Sequence, residues 1–401
     1  MVARKLNRMI AEHPTLLRNK SSMTRPLLVI LDRNSDLITP IQHTSTYQAL
    51  IDDLLKHTAN RVEFTAADNA KKVKKFDLDP DEDPFYKAHK FQPFPEAIES
   101  NGTELQQVTD REQEVRSGSN LASAVDSLPV LLERKKQLEV HTSILQAVMN
   151  QVAARDVPQF YELESSLATG SYRNDLPKAK RKVMELIGDA SKGSVHDKLR
   201  LVVVYSLATA AKTADLDEVT AAIQIADPKD QDSLQTGIRA INYLKQLRSM
   251  HMIPAAKDMM QELGTTESTS GSSTMFSLMA KATTQATGLL AKATDKVVGL
   301  LGKINKHHAT VVVENLCEMR GEDEEYLYLD PKVKGDVSLQ KLRTMNRAPV
   351  REVIAFVIGG GCYGEYQNLQ MVASDRLRIG YGSTELLDSE AFLGQLGQLG
   401  Q

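Results

Sequence analysis

Two groups of residues have the types and spacing for chemistry. Asp32 and Asp36 follow directly on an apolar run, in ILDRNSD. Carboxylates at the end of a strand can hold Mg²⁺ against a phosphoryl group. Two aspartates four apart, with Arg33 between them, equally suit turn and cap hydrogen bonds. The second group is Gly359-Gly360-Gly361-Cys362-Tyr363-Gly364, a glycine-rich turn after another apolar run. Glycines there would let backbone N–H groups approach a phosphate. The spacing is neither G-x-G-x-x-G nor the P-loop G-x-x-x-x-G-K-[ST], and a tight strand-to-helix turn is the alternative. Elsewhere the nine histidines make no H-E-x-x-H pair, Cys317 and Cys362 are isolated, and no G-x-S-x-G elbow occurs. No metal site, no cofactor and no catalytic residue is therefore expected. So empty a search favours a binding protein, with a phosphate- or nucleotide-binding α/β enzyme using Asp32, Asp36 and the Gly359–Gly364 loop as the alternative.

The elements that must position these residues follow α/β syntax. Leu27–Leu31 is a continuous apolar run between Pro26 and the turn formers Asp32, Asn34 and Ser35. Such a run predicts a strand buried on both faces, in a parallel sheet covered by helices. Val353–Ile358 and Leu377–Tyr381 are two further strands, each closed by glycine, and a helical pattern follows the last (Leu386, Phe392, Leu396). One strand near the N-terminus and two near the C-terminus imply an α/β domain interrupted by a long insertion. The predicted fold is thus α/β plus all-α. A discontinuous parallel-sheet domain (1–95 and 309–401) carries a large, mainly helical domain (96–308) inserted in it.

Within the insertion, Leu121, Val125, Leu128, Leu132, Leu138, Leu145, Val148 and Val152 keep helical spacing. Pro129 should kink or break that helix, since it lacks an N–H and its ring meets the carbonyl of Val125. Leu199–Tyr205 is β-branched enough for a strand, but Ser194-Val-His-Asp197 just before it spells a capping box and predicts a helix. Helices are also predicted over 215–226 and 232–250. Lys71, Lys72, Lys74 and Lys75 around Val73 predict an exposed edge strand guarded by charge.

The chain has 401 residues, a formal net charge of -3, two cysteines, no tryptophan and 5% aromatic residues. That balance argues against a nucleic-acid binder, and the cysteine count against a disulfide-stapled secreted scaffold, pointing to the cytosol. No apolar run approaches the ~18 residues of a membrane-spanning helix. Gly264–Ser273 has linker composition, and Met275–Ile304 beyond it is amphipathic. Lys281, Lys292, Lys296 and Lys303 fall within an arc of roughly 60° on a helical wheel, beside Phe276, Met279, Leu290, Val297, Leu301 and Ile304. Such a stripe can pack on the protein's own core, lie on a membrane surface, or dock as a lid in a partner's groove.

Three long motifs resemble a single family. Arg25–Leu50 (RPLLVILDRNSDLITPIQHTSTYQAL), Leu128–His141 (LPVLLERKKQLEVH) and Val353–Leu369 followed by Gly380–Leu396 are similar, in order, to the SM (Sec/Munc-type) family of SNARE-binding proteins. The similarity is strongest to its Sly-type members, which serve ER–Golgi traffic. Ser45 stands where those members usually carry Trp, and Cys362 and Gly364 where they carry Asn and Ile. Met1–Lys5 resembles an interior helix of the family's second domain, so the chain is expected to be a fragment without the N-terminal syntaxin-binding domain. The resemblance implies a non-enzymatic regulator of SNARE assembly in vesicle docking and membrane fusion, cytoplasmic and peripheral on ER, Golgi or transport-vesicle membranes. Its implied partners are syntaxin-class and vesicle SNARE helices, with no nucleic acid. The implied SNARE template is a helical hairpin over about 100–155, at Leu121, Val125, Leu128, Pro129 and Leu132. The implied lid is 264–304. Asp32, Arg33 and Asp36 would then brace the sheet through charge-assisted hydrogen bonds.

Overall fold

A computed structural model of the protein describes residues 2–13, 26–66, 69–117, 121–209, 211–226, 230–253, 304–320, 326–330, 337–338, 340–342 and 350–400. Helix α1 (Val2–Glu12) precedes β1 (Leu27–Asp32). Helix α2 (Tyr47–Leu54) leads into an antiparallel meander of β2 (Lys56–Thr58), β3 (Arg61–Ala66) and β4 (Asn69–Asp77). After α3 (Pro84–His89) come the long helices α4 (Phe94–Ser117) and α5 (Leu121–Ala154). Five more follow: α6 (Val157–Ala168), α7 (Leu176–Gly188), α8 (Val195–Ala208), α9 (Thr213–Ala226) and α10 (Gln231–Ser249). Then α11 (His308–Cys317), β5 (Glu352–Ile358), α12 (Tyr363–Gln370), β6 (Arg378–Ser383) and α13 (Ser389–Leu399) complete the chain.

The parallel sheet has the order β1-β5-β6, with Leu27 opposite Val353 and Val353 opposite Ile379. The strand after more than 300 residues of other structure thus lies directly beside the first, which the interrupted α/β syntax predicts. Val29, Leu31, Val353, Ala355 and Val357 bury one face under Val312, Val313 and Leu316 of α11 and Leu369 of α12. The expected burial of β1 on both faces is corrected here. Among the described residues the helices lie on one face only, and the alternate side chains Leu28 (50%), Ile30 (38%) and Ile354 (44%) remain exposed.

A second core joins the segment after β1 to the hairpin. Tyr47, Leu50 and Ile51 of α2, Val62, Phe85 and Phe94 close on Leu138, Ile144, Val148 and Val152 of α5. A third core is built on α8, where Leu199 and Leu201–Tyr205 are all buried among α6, α7, α9 and α10. Helix rather than strand forms here because Ser194 and Asp197 make a reciprocal capping box, as predicted. The helix α13 returns to this third core through Phe392, Leu393 and Leu396. It lies close against α10: a Cβ on Gly397 would sit 2.7 Å from the Thr236 carbonyl oxygen. Strand β4 forms an edge of the meander with Lys72, Val73 and Lys75 exposed, the charged edge that the lysines predict.

Candidate functional site

The long hairpin α4–α5 divides into an anchored and a projecting half. From Leu138 to Val152, α5 buries its apolar side chains in the second core. Asn101 of α4 donates to the Leu138 carbonyl at 3.0 Å and accepts from the Thr142 hydroxyl at 2.8 Å, tying the two helices where they enter that core. Further out the contacts turn ionic. Lys135 meets Glu112 at 2.8 Å, and Arg134 pairs with Glu104, whose carboxylate also faces His89 at 2.9 Å. Beyond these pairs, the core no longer shelters apolar groups. Pro129 is exposed, Val130 is 69% exposed, Leu132 is 41% exposed and Leu128 is half-buried. Such side chains at one end of a helix hairpin give an apolar surface of the kind that accepts an amphipathic helix.

Helix α5 runs through Pro129, so of the expected kink or break, the break does not occur. The proline, itself exposed, removes only the backbone bond to the Val125 carbonyl. Val125 and Leu121 lie in the same helix, about one and two turns nearer its start than Pro129; their side chains fall outside the described residues. Of the segment 264–304, Phe276, Met279, Lys281, Leu290, Lys292, Val297 and Leu301 also lie outside the described residues, and Ile304 is half-buried in the approach to α11. Val130 has no counterpart in the sequence-derived set. It lies off the Leu128–Leu132 stripe, and only its exposure marks it.

At the carboxyl end of the sheet the polar groups are spent on one another. Arg33 is buried and donates to both oxygens of Glu365 at 3.1 Å, to the Asp36 carbonyl at 2.7 Å and to the Gly360 carbonyl at 3.3 Å. Asp36 accepts from the Ile38 and Thr39 amides at 3.0 Å and from the Thr39 hydroxyl. Burial opposes its charge, yet the Arg33 guanidinium, His308 and the Thr39 hydrogen bonds together outweigh that and hold the carboxyl below its ordinary range. Asp32 caps the turn of Arg33–Ser35 through the Asn34 amide at 2.9 Å.

The glycine loop is equally occupied. The Gly359 and Gly360 amides donate to the Thr384 hydroxyl at 3.1 Å, Gly361 to the Glu385 carbonyl at 2.9 Å and Cys362 to the Tyr381 hydroxyl at 3.2 Å. The four amides from Gly359 to Cys362 are therefore already engaged and do not cradle an anion. Gly359 and Gly360 have φ of 104° and 94°, a backbone that requires glycine, so the turn itself explains them. The cavity beside Asp36 measures about 40 Å³, room for a few waters and not for a nucleotide. Asp32 and Asp36 are therefore spent on local turns, Arg33 ties that turn to Glu365 and Gly360, and the phosphotransfer alternative is not supported.

The sequence gives no local sign of a third cluster, because its members are far apart along the chain. His43 is held between Glu164 of α6 and Asp197 of α8, with Arg155, Arg200 and Asp53 around them.

A model of the Sec1 family matches residues 1–395. Sec1 family domain-containing protein 1 of Mus musculus and of Homo sapiens are each 31% identical over 452 aligned residues, covering 100% of this chain and 66% of theirs. Protein sly1 homolog of Drosophila melanogaster is 30% identical, covering 94% of this chain and 61% of its own. Among solved structures, Sly1p in complex with an N-terminal peptide of Sed5p is similar with a TM-score of 0.69 at 23% identity, covering 100% of this chain and 62% of that one. The SM protein Vps45 in complex with the Qa SNARE Tlg2 is similar with a TM-score of 0.70 at 16% identity, covering 99% and 63%. The chain thus spans 66% of the length of the mammalian relatives it matches. The interrupted parallel sheet, the inserted helical hairpin and a family match running almost end to end agree: this chain belongs to the Sec1 family.

Proposed function

We propose that this chain is a non-enzymatic, SNARE-binding regulator of SNARE assembly in vesicle docking and fusion, working in ER–Golgi transport. The observation that carries the reading is the projecting half of α5, where Leu128, Pro129 and Leu132 leave an apolar surface outside every core of the fold. A SNARE helix zippers through an apolar stripe at helical spacing, and the α5 surface offers it a first strip to pack on. Leu121 and Val125, at helical spacing earlier in α5, belong to the same proposed template. Support also comes from the relatives. Sly1p and Vps45, which share the fold, have been solved with a Sed5p peptide and with the Qa SNARE Tlg2. On this reading the chain works at the cytoplasmic face of ER, Golgi or vesicle membranes as a peripheral protein; among the described residues no helix is long and apolar enough to cross a bilayer.

The test is binding of syntaxin-class and vesicle SNARE cytoplasmic segments to the chain, by calorimetry, with Leu128→Asp/Leu132→Asp as the variant. Burying one leucine contributes about 1.5–3 kcal/mol, so the double variant should weaken binding at least about tenfold. Unchanged melting temperature would show that the fold is intact. Equal affinity of variant and wild type would remove α5 from the site. The segment 264–304 belongs to the same proposal as a lid or membrane-sensing helix. The chain should co-sediment with anionic liposomes, and Leu290→Asp with Leu301→Asp should abolish that. Wild-type protein left in the supernatant would discard the membrane role.

A further inference from the structure

The cluster around His43 lies where the chain leaving β1 meets the helical core. Both ring nitrogens face carboxylates: Nδ1 is 3.0 Å from both oxygens of Glu164, and Nε2 is 3.0 Å from Oδ1 of Asp197. The side chains of all three residues are fully buried. A neutral imidazole carries one N–H and one lone pair, so only the imidazolium can donate to both carboxylates at once. The His43 amide also donates to Glu164, at 2.7 Å. Among the described residues, Glu164 has His43 as its sole hydrogen-bond partner, whereas Asp197 is shared with Arg155 at 3.0 Å and with Ser194 at 2.8 and 2.9 Å.

Other charged and titratable groups surround the ring, and the exposed Glu390 of α13 also acts on Arg155. Arg200 of α8 binds Asp53 of α2 at 2.8 and 3.1 Å and donates to the Ile41 carbonyl at 2.6 Å. The Ser389 hydroxyl of α13 donates to Asp53 at 2.9 Å and faces His196 of α8 at 3.1 Å. Burial and Arg200 lower the pKa of His196 to about 4, so it is neutral here. With His43 charged, three cations (His43, Arg155, Arg200) face three anions (Glu164, Asp197, Asp53). Without its proton, one negative charge stays buried and uncompensated, an expensive state in a low-dielectric interior.

We propose that His43 is a proton-dependent latch that fastens the segment 41–53 to α6 and α8, and that loss of its proton loosens this joint. Segment 41–53 carries most of α2, which packs on the anchored half of α5, so the latch links the helical core to the base of the hairpin. The direction follows from the surroundings. Burial and Arg200 lower the His43 pKa, but Glu164 and Asp197 outweigh them and raise it above the ordinary histidine value. A raised folded-state pKa stabilises below the unfolded value, and the stabilisation is lost as pH rises through the folded one.

The experiment follows deuterium uptake of peptides covering 41–53, α6 and α8 in the chain between pH 6.5 and 9.5, corrected for intrinsic exchange. It is run beside histidine ring NMR on the same protein. Wild type should show a histidine titrating above the ordinary range, with protection in these peptides falling by up to about tenfold per pH unit between the ordinary histidine value and that titration and levelling off above it. His43→Gln should lose that resonance and show protection that does not change with pH. Should His43→Gln fail to fold, Glu164→Gln serves instead: it keeps an acceptor, removes one charge, and should move the transition to lower pH. Protection independent of pH in wild type, or the same pH dependence in the variants, would overturn the latch.

Discussion

The seat of α13 on α10 makes a prediction with its control in the same helix. Gly394 and Gly397 both lie inside α13, one turn apart. A Cβ on Gly394 meets no atom within 4 Å, whereas on Gly397 it would lie 2.7 Å from the Thr236 carbonyl oxygen and 2.9 Å from Thr236 Cγ2. Replacing glycine by alanine in a helix gains about 1 kcal/mol wherever the methyl fits. That gain is common to both positions and cancels when the two variants are compared. What remains is the cost of forcing a methyl against a helix backbone that cannot rotate aside, about 1–3 kcal/mol. Gly394→Ala should therefore be more stable than wild type, and Gly397→Ala less stable than Gly394→Ala by that cost. Urea denaturation followed by circular dichroism measures the difference, and thermal melting should show it as roughly 2–4 °C per kcal/mol for a cooperative unit of ~200 residues. Equal stability of the two alanine variants would refute the close seat of α13 on α10.

The remaining predictions concern the buried polar groups. Arg33→Met leaves Glu365 charged and unpaired in the interior and should cost about 3–5 kcal/mol, while Arg33→Met/Glu365→Met recovers part of that in the same denaturation assay. Burial and the Glu365 carboxylate push the Cys362 thiol up to about 12, and burial and Glu318 push Cys317 up to about 11. In a thiol-labelling assay at pH 8, both should react slowly in the native protein and fully once it is denatured. Adding Mg²⁺ or ATP should leave the melting temperature unchanged, because Asp36 and the Gly359–Cys362 amides are already hydrogen-bonded; a rise of several degrees would reopen the phosphotransfer reading.

Much of the local structure was legible in the residues themselves. The apolar run Leu27–Leu31 between Pro26 and Asp32 marks a strand, and the Ser194/Asp197 pair marks the start of α8 despite its β-branched content, because both signals act over a few residues. The stripe through Leu128 and Leu132 was legible for the same reason: helical spacing is a local property. What failed were inferences about surroundings. A continuous apolar run states that both faces of β1 tolerate burial, not that a second layer of helices is present to cover Leu28 and Ile30. Pro129 predicts a kink or break, and the helix nevertheless continues through it from Leu121 to Ala154, with the proline itself on an exposed turn.

The sequence by itself determined the order and kind of the elements, the parallel pairing implied by strand, glycine turn and helix, and the family. Propensity, capping and hydrophobic period are encoded within a turn or two of chain. Only the tertiary structure decided which polar residues are spent and which surfaces are free. Arg33 finds Glu365 across 332 residues, His43 finds Glu164 and Asp197 across 121 and 154, and the phosphate-like loop closes on Thr384 and Glu385. Such partners are set by how separate elements meet in space. No spacing along the chain reports that, and it is why two aspartates that could have served catalysis turn out to be spent on their own turns.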